Sequence, residues 1–176
     1  VPKKEFISTP TRYLIPGEID LNVIPMQPGT IIIKNEEKVL TACSFIQITG
    51  KAKTCKTNVL MSIIGGCFSD TIDTLGLEIQ KCPEDKHVIY VNTEMSAYDT
   101  WKHLRDLSDR IGTKPTNLHF LNEMETRGEA LRRKVEETIL AYPPYLLVID
   151  GIVDACEDFN NQLTSKLTVD WLQKLC

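Results

Sequence analysis

Three short apolar runs, residues 87–92 (HVIYVN), 117–121 (NLHFL) and 145–149 (YLLVI), alternate with two longer stretches of helical periodicity. The first and last runs are apolar at nearly every consecutive position, so both faces of each strand must be covered, as in a parallel sheet packed between helices. Parallel neighbours cannot be joined by a tight turn; each pair needs a crossover of a dozen or more residues. The intervening stretches supply it. Residues 96–110 bring Trp101, Leu104, Leu107 and the following Ile111 to one face, with Ser96 as N-cap, Asp99 three residues on and Trp101 as a core anchor. Residues 127–141 carry Ala130, Leu131, Val135, Thr138 and Ile139 at helical spacing and end at Pro143-Pro144. The pattern predicts an α/β fold: a mainly parallel sheet flanked by helices, built from right-handed βαβ crossovers.

Upstream, residues 30–34 (TIIIK) and 38–42 (KVLTA) flank Asn35-Glu36-Glu37 and read as a hairpin. Residues 45–49 (FIQIT) alternate and are rich in β-branched types, which predicts a further strand, then a loop at 50–57 and an apolar helix to about residue 68. Residues 69–80 read as helical or irregular. Residues 1–29 hold five of the nine prolines and read as an extended lead-in, leaving 30–176 as the domain. Val1 is not a natural initiator, and the run 164–176 reads as a helix that stops without a cap. The chain therefore reads as a fragment of a longer protein.

Composition excludes some classes. A net charge of −4 argues against a basic surface that coats nucleic acid, though not against a local DNA contact or the inner channel of an oligomer. Aromatic residues are 7% of the chain, too sparse to show a stacking platform for single strands. No stretch approaches the roughly 20 apolar residues of a membrane span, and no signal peptide opens the sequence. Cys43, Cys55, Cys67, Cys82, Cys156 and Cys176 form no metal-binding spacing and read as reduced thiols of a cytoplasmic protein. His87, His103 and His119 are scattered and read as structural or surface residues. Arg132-Arg133-Lys134 reads as a solvated helix face balanced by Glu136 and Glu137.

The chemistry-bearing run is Gly50, Lys51, Ala52, Lys53, Thr54, Cys55, Lys56 and Thr57. It follows G-x-x-x-x-G-K-[ST], the phosphate-cradling loop, with Cys55 in place of the second glycine. Backbone N–H groups at a strand-to-helix turn face an anion, and the helix N-terminus favours negative charge. Lys56 would reach the terminal phosphates of a nucleotide, and the Thr57 hydroxyl would ligate Mg²⁺. Cys55 brings a Cβ where backbone normally approaches phosphate and resists positive φ; Lys51 and Lys53 add compensating charge. Two later strands end in acid. Four apolar residues lead into Asp150, which is placed to hold a Mg²⁺-bound water, and Glu94 follows the run at 87–92, placed to orient and deprotonate an attacking water. Alone, Glu94 reads better as a solvated residue opening the next helix, where it complements the dipole.

The ordered set GKAKTCKT, VIYVNTEMS and YLLVIDG resembles the RecA-like P-loop ATPase core, in its RepA/DnaB-type helicase branch, and is most similar to replication and mobilization ATPases of Bacteroides mobile elements. In that group the loop runs GKAK-[ST]-x-KT, without the second glycine. The resemblance covers about residues 28–176. It implies nucleotide contacts from the 50–57 loop, catalysis by Glu94 and Lys56, Mg²⁺ held by Thr57 and Asp150, ATP as substrate, DNA as a partner of the full-length protein, and a ring or filament of identical subunits. Asp154, Asp158 and Asn160 match the group's DGI-x-D…DFN stretch with no mechanism attached. The missing strands and an arginine finger would lie outside this chain. Two alternatives stay open: a non-hydrolysing nucleotide-binding or assembly module, which Cys55 motivates, and a small-molecule kinase, against which stands the absence of an arginine-rich acceptor site.

Overall fold

The computed structural model describes residues 27–50, 54–158 and 160–175. Most of the 1–29 lead-in, the loop residues Lys51, Ala52 and Lys53, Phe159 and the terminal Cys176 lie outside the described residues. The hairpin forms where expected. β1 (Thr30–Lys34) pairs antiparallel with β2 (Glu37–Thr41), and Asn35 and Glu36 between them take φ of 50° and 68°. Two consecutive positive φ values make the tight turn whose twist matches the flanking strands. After helix α1 (Lys56–Gly66) comes β3 (Glu78–Ile79), which pairs antiparallel with the other edge of β1. Gly66 is required at their crossing: a Cβ there would come within 2.8 Å of Ile79 and 2.9 Å of Thr74.

The rest of the chain alternates. It runs β4 (His87–Asn92), α2 (Ala97–Ile111), β5 (Leu118–Asn122), α3 (Gly128–Ala141), β6 (Pro144–Asp150), a 3-10 turn (Ile152–Ala155) and α4 (Gln162–Leu175). The last three strands form a parallel sheet in the order β5-β4-β6. The period of two along central β4 explains its continuous apolarity. Val88 and Tyr90 enter a core with Ile64 of α1, Leu107 of α2 and Ile32 of the hairpin, while Ile89 and Val91 enter a second core with Leu131 and Val135 of α3 and Trp171 of α4. Each fully buried side chain of this size contributes about 1.5–3 kcal/mol, so covering both faces of β4 is a major source of stability. Trp171 Nε1 donates to Glu136 Oε1 at 2.8 Å, fixing α4 on α3. Ser96 caps α2 as expected, its Oγ accepting from Asp99 N–H at 3.2 Å.

The strands of the βαβ units form a parallel sheet flanked by helices as expected, beside a separate antiparallel sheet of three strands. Other expectations change. Residues 45–49 form no strand, and Phe45 is 51% exposed. Alternation sets side-chain direction, but a strand also needs a neighbouring backbone, and none pairs with this segment among the described residues. Trp101 is not a core anchor; half-exposed, it stacks on Tyr98 with the Arg105 guanidinium over its ring, partners from its own helix. The basic run of α3 is balanced by other groups than its neighbours Glu136 and Glu137. Arg133 pairs with Glu129, Lys134 reaches the buried Glu123 at 2.7 Å, and Arg132 donates to Ala155 O at 2.6 Å. Among the described residues no disulfide forms, and no helix is long and apolar enough to cross a membrane.

Candidate functional site

The site is assembled where the loop before α1 meets the C-terminal ends of β4 and β6. Cys55 is the N-cap of α1 and takes φ 61°, ψ 25°, the left-handed conformation that glycine occupies freely. The backbone of a glycine is thus present without the glycine, at a cost of about 1–2 kcal/mol for a side-chain-bearing residue. Gly50 at the loop's start lies close to Thr54: a Cβ there would come within 2.6 Å of Thr54 Oγ1, which would have to turn aside. Lys56 and Thr57 open the helix, with no acidic residue in its first turn. The first-turn N–H groups lack intrahelical partners and carry the positive end of the dipole. They border a cleft of about 530 Å³ whose walls are Thr54 to Asn58, Glu94 and His103.

Beside this cleft, groups far apart in sequence meet. Thr57 Oγ1 donates to Asp150 Oδ2 at 3.2 Å, and the Tyr90 hydroxyl donates to the same oxygen at 2.8 Å. Burial, followed by the charge and hydrogen bond of Asp150, raises the Tyr90 phenol well above its ordinary value, so it stays protonated and remains a donor. Asp150 is buried at the end of β6. A carboxylate and a hydroxyl in direct contact form a hard-oxygen donor set for a cation that keeps several waters and takes further ligands from phosphate, the habit of Mg²⁺. Among the described residues there is no cluster of three or more His, Cys, Asp or Glu side chains suited to a metal held by protein alone.

Glu94 is presented by a turn fixed from both sides. On one side, buried Asn92 accepts from Glu94 N–H at 3.2 Å and from Met95 N–H at 2.9 Å, and donates to Met95 O at 2.7 Å. On the other, Thr93 Oγ1 accepts from Gly151 N–H at 2.9 Å and lies 2.6 Å from Asp154 Oδ2. Gly151 follows Asp150 through a cis peptide bond. A Cβ at Gly151 would overlap Glu94 Oε1, so a side chain there would make the carboxylate turn aside. Sequence reasoning missed Asn92, Thr93 and Tyr90; a polar pair closing an apolar strand was the available signal for the first two.

The remaining residues are local. Asp158 builds the turn into α4, accepting from Asn160 N–H at 3.0 Å, and its carbonyl accepts from Thr164 Oγ1. His103 lines the cleft, whereas His87 and His119 are not scattered: parallel pairing of β4 with β5 brings His87 Nδ1 within 3.0 Å of His119 Nε2, with Tyr142 against both rings.

The class that fold and site define is a mixed α/β chain with helices on both faces of a small parallel sheet and a helix N-terminus near Glu94 and Asp150. Compared with protein-family models, curated proteins and solved structures, the chain has no significant match.

Proposed function

We propose that this chain is the Mg²⁺-dependent ATP-binding and ATP-hydrolysing core of a helicase-like protein of DNA replication or mobilization, with a RecA-like fold, acting on DNA in the cytoplasm as a homo-oligomer. The observation that carries the reading is the contact of Thr57 with Asp150 at 3.2 Å beside the N-terminus of α1. The donor set fits Mg²⁺, with Thr57 and Asp150 as its holders. The ion would neutralise phosphate charge and orient it.

The chain's own groups supply the rest. Backbone N–H groups of the 50–57 loop and the first turn of α1 bind phosphate oxygens, and Lys56 adds a point charge that grows in value as charge develops on the transferred group. Glu94, held by Asn92 and Thr93, accepts a proton from the attacking water as its oxygen bonds to the γ-phosphorus and the bond to the β-phosphate oxygen breaks. Tyr90 holds the Asp150 carboxylate in one orientation.

The test is turnover. A Lys56→Ala chain should lose ATP hydrolysis, with or without DNA; a Lys56→Ala chain as fast as the parent would remove the assignment. A second reading, nucleotide binding without turnover, is favoured by Cys55, whose side chain stands exposed in the loop. Tight ATP binding with no hydrolysis in a DNA-bound oligomer would select it.

A further inference from the structure

The acid with no sequence-level mechanism, Asp154, sits at the centre of a network that joins the strand ends. The Thr93 hydroxyl has a single proton and two acceptors in reach, Asp154 Oδ2 at 2.6 Å and Gly151 O at 3.1 Å; the shorter, charged acceptor is favoured, and the hydroxyl oxygen accepts from Gly151 N–H at 2.9 Å. Asp154 turns its other oxygen to Arg127 Nε at 2.9 Å, and Arg127 is the N-cap residue of α3, after β5. Residues following all three parallel strands therefore meet at one carboxylate. Asp154 is mostly covered, its side chain 22% exposed, while Arg127 is half open to solvent at 50%. The ion pair leaves the Asp154 charge compensated, and a charge-assisted hydrogen bond from Thr93 is stronger than one between neutral groups.

We propose that Asp154 is a positioning residue for Glu94, acting through Thr93 and Gly151. Thr93 is the residue before Glu94, and the backbone of Gly151 lies against the Glu94 carboxylate so closely that a methyl group at Gly151 would overlap it. A shift of the 150–151 turn changes the backbone surface against which that carboxylate rests. Asn92 fixes the turn from the β5 side, and Asp154 fixes it from the β6 side. The role assigned to Glu94 rests on the ATPase reading; the positioning is a matter of geometry and is read separately.

The experiment uses the full chain as parent, Asp154→Ala, Thr93→Val and Thr93→Ser. Two readouts need no turnover: amide hydrogen exchange at Gly151 relative to β4, and the ¹³C shift of the Glu94 carboxyl. Thr93→Val removes the acceptor of Gly151 N–H and should speed its exchange about tenfold and move the Glu94 signal; Asp154→Ala, which leaves the Thr93 hydroxyl free to turn to Gly151 O, should move the Glu94 signal, while Thr93→Ser keeps the parent values. With Mg²⁺-ATP, kcat should fall about 10- to 100-fold for a displaced catalytic group, with the nucleotide Kd held within about twofold. Folded Asp154→Ala with an unchanged Glu94 signal overturns the proposal, as does a joint loss of kcat and affinity. If Asp154→Ala does not fold, the Thr93→Val and Thr93→Ser pair decides alone. A parent that neither binds nor hydrolyses ATP defeats the ATPase reading, and the exchange and carboxyl measurements still decide the positioning.

Discussion

Thr57 at the start of α1 and Asp150 at the end of β6 share a hydrogen bond, Oγ1 to Oδ2 at 3.2 Å, across 93 residues of sequence. Asp150 also takes the Tyr90 hydroxyl on Oδ2, so its orientation depends on a buried phenol on the neighbouring strand. Tyr90→Phe should weaken the Mg²⁺ dependence of nucleotide binding about 10-fold or more, as loss of an outer partner does to a metal ligand. Mg²⁺ titration of nucleotide affinity in parent and variant checks this; identical titrations would mean that Asp150 needs no support from Tyr90.

Cys55 carries the left-handed backbone of a glycine, φ 61°. Cys55→Gly should therefore raise stability by about 1 kcal/mol, partly offset by the greater freedom of glycine in the unfolded chain, and should retain nucleotide binding. A β-branched residue there should destabilise. Urea unfolding of the three proteins gives the order, and a Cys55→Gly chain less stable than the parent would show that the thiol contributes more than the backbone strain takes away.

Gly151 leaves room for the Glu94 carboxylate, since a Cβ would overlap Oε1. Gly151→Ala should displace Glu94 and cut ATP turnover by about 100-fold, the scale of a misplacement of about 1 Å, with affinity for Mg²⁺-ATP little changed. Steady-state kinetics beside equilibrium binding separates the two; full activity in Gly151→Ala would remove Glu94 from the reaction.

These site features divide cleanly by how far apart in sequence their causes lie. β4 is legible because four consecutive residues, Val88 to Val91, are fully buried, which only a strand covered on both faces demands. The 50–57 loop, Glu94 and Asp150 are legible because each closes or opens a periodic segment. Asn92 and Thr93 are not. Their work consists of hydrogen bonds to a turn at 93–95 and to Gly151, a partner 58 residues away that only the parallel register brings close. The segment 45–49 misleads for the same reason in reverse: its alternation is a local property, and strand pairing is not. The His87–His119 contact arises from strand pairing as well.

That histidine pair gives the fold a pH dependence. Burial, then the charge of His87, lowers the His119 pKa from its ordinary 6.5. A lowered value means that the unfolded chain binds more protons than the folded one between the depressed value and 6.5. Stability is therefore full above that window and is lost as pH falls through it. Replacing His119 by Gln should flatten this part of the stability curve, measured by urea unfolding between neutral and mildly acidic pH. An unchanged slope would place the protons elsewhere.

The central claim is that the 50–57 loop and α1 cradle the phosphates of a nucleotide. Its most direct test is equilibrium binding of a fluorescent ATP analogue with Mg²⁺ to the parent and to Lys56→Ala, with folding of both verified. The account predicts saturable binding by the parent and its loss in the variant. A folded parent that does not bind, or a variant that binds as tightly, would contradict it.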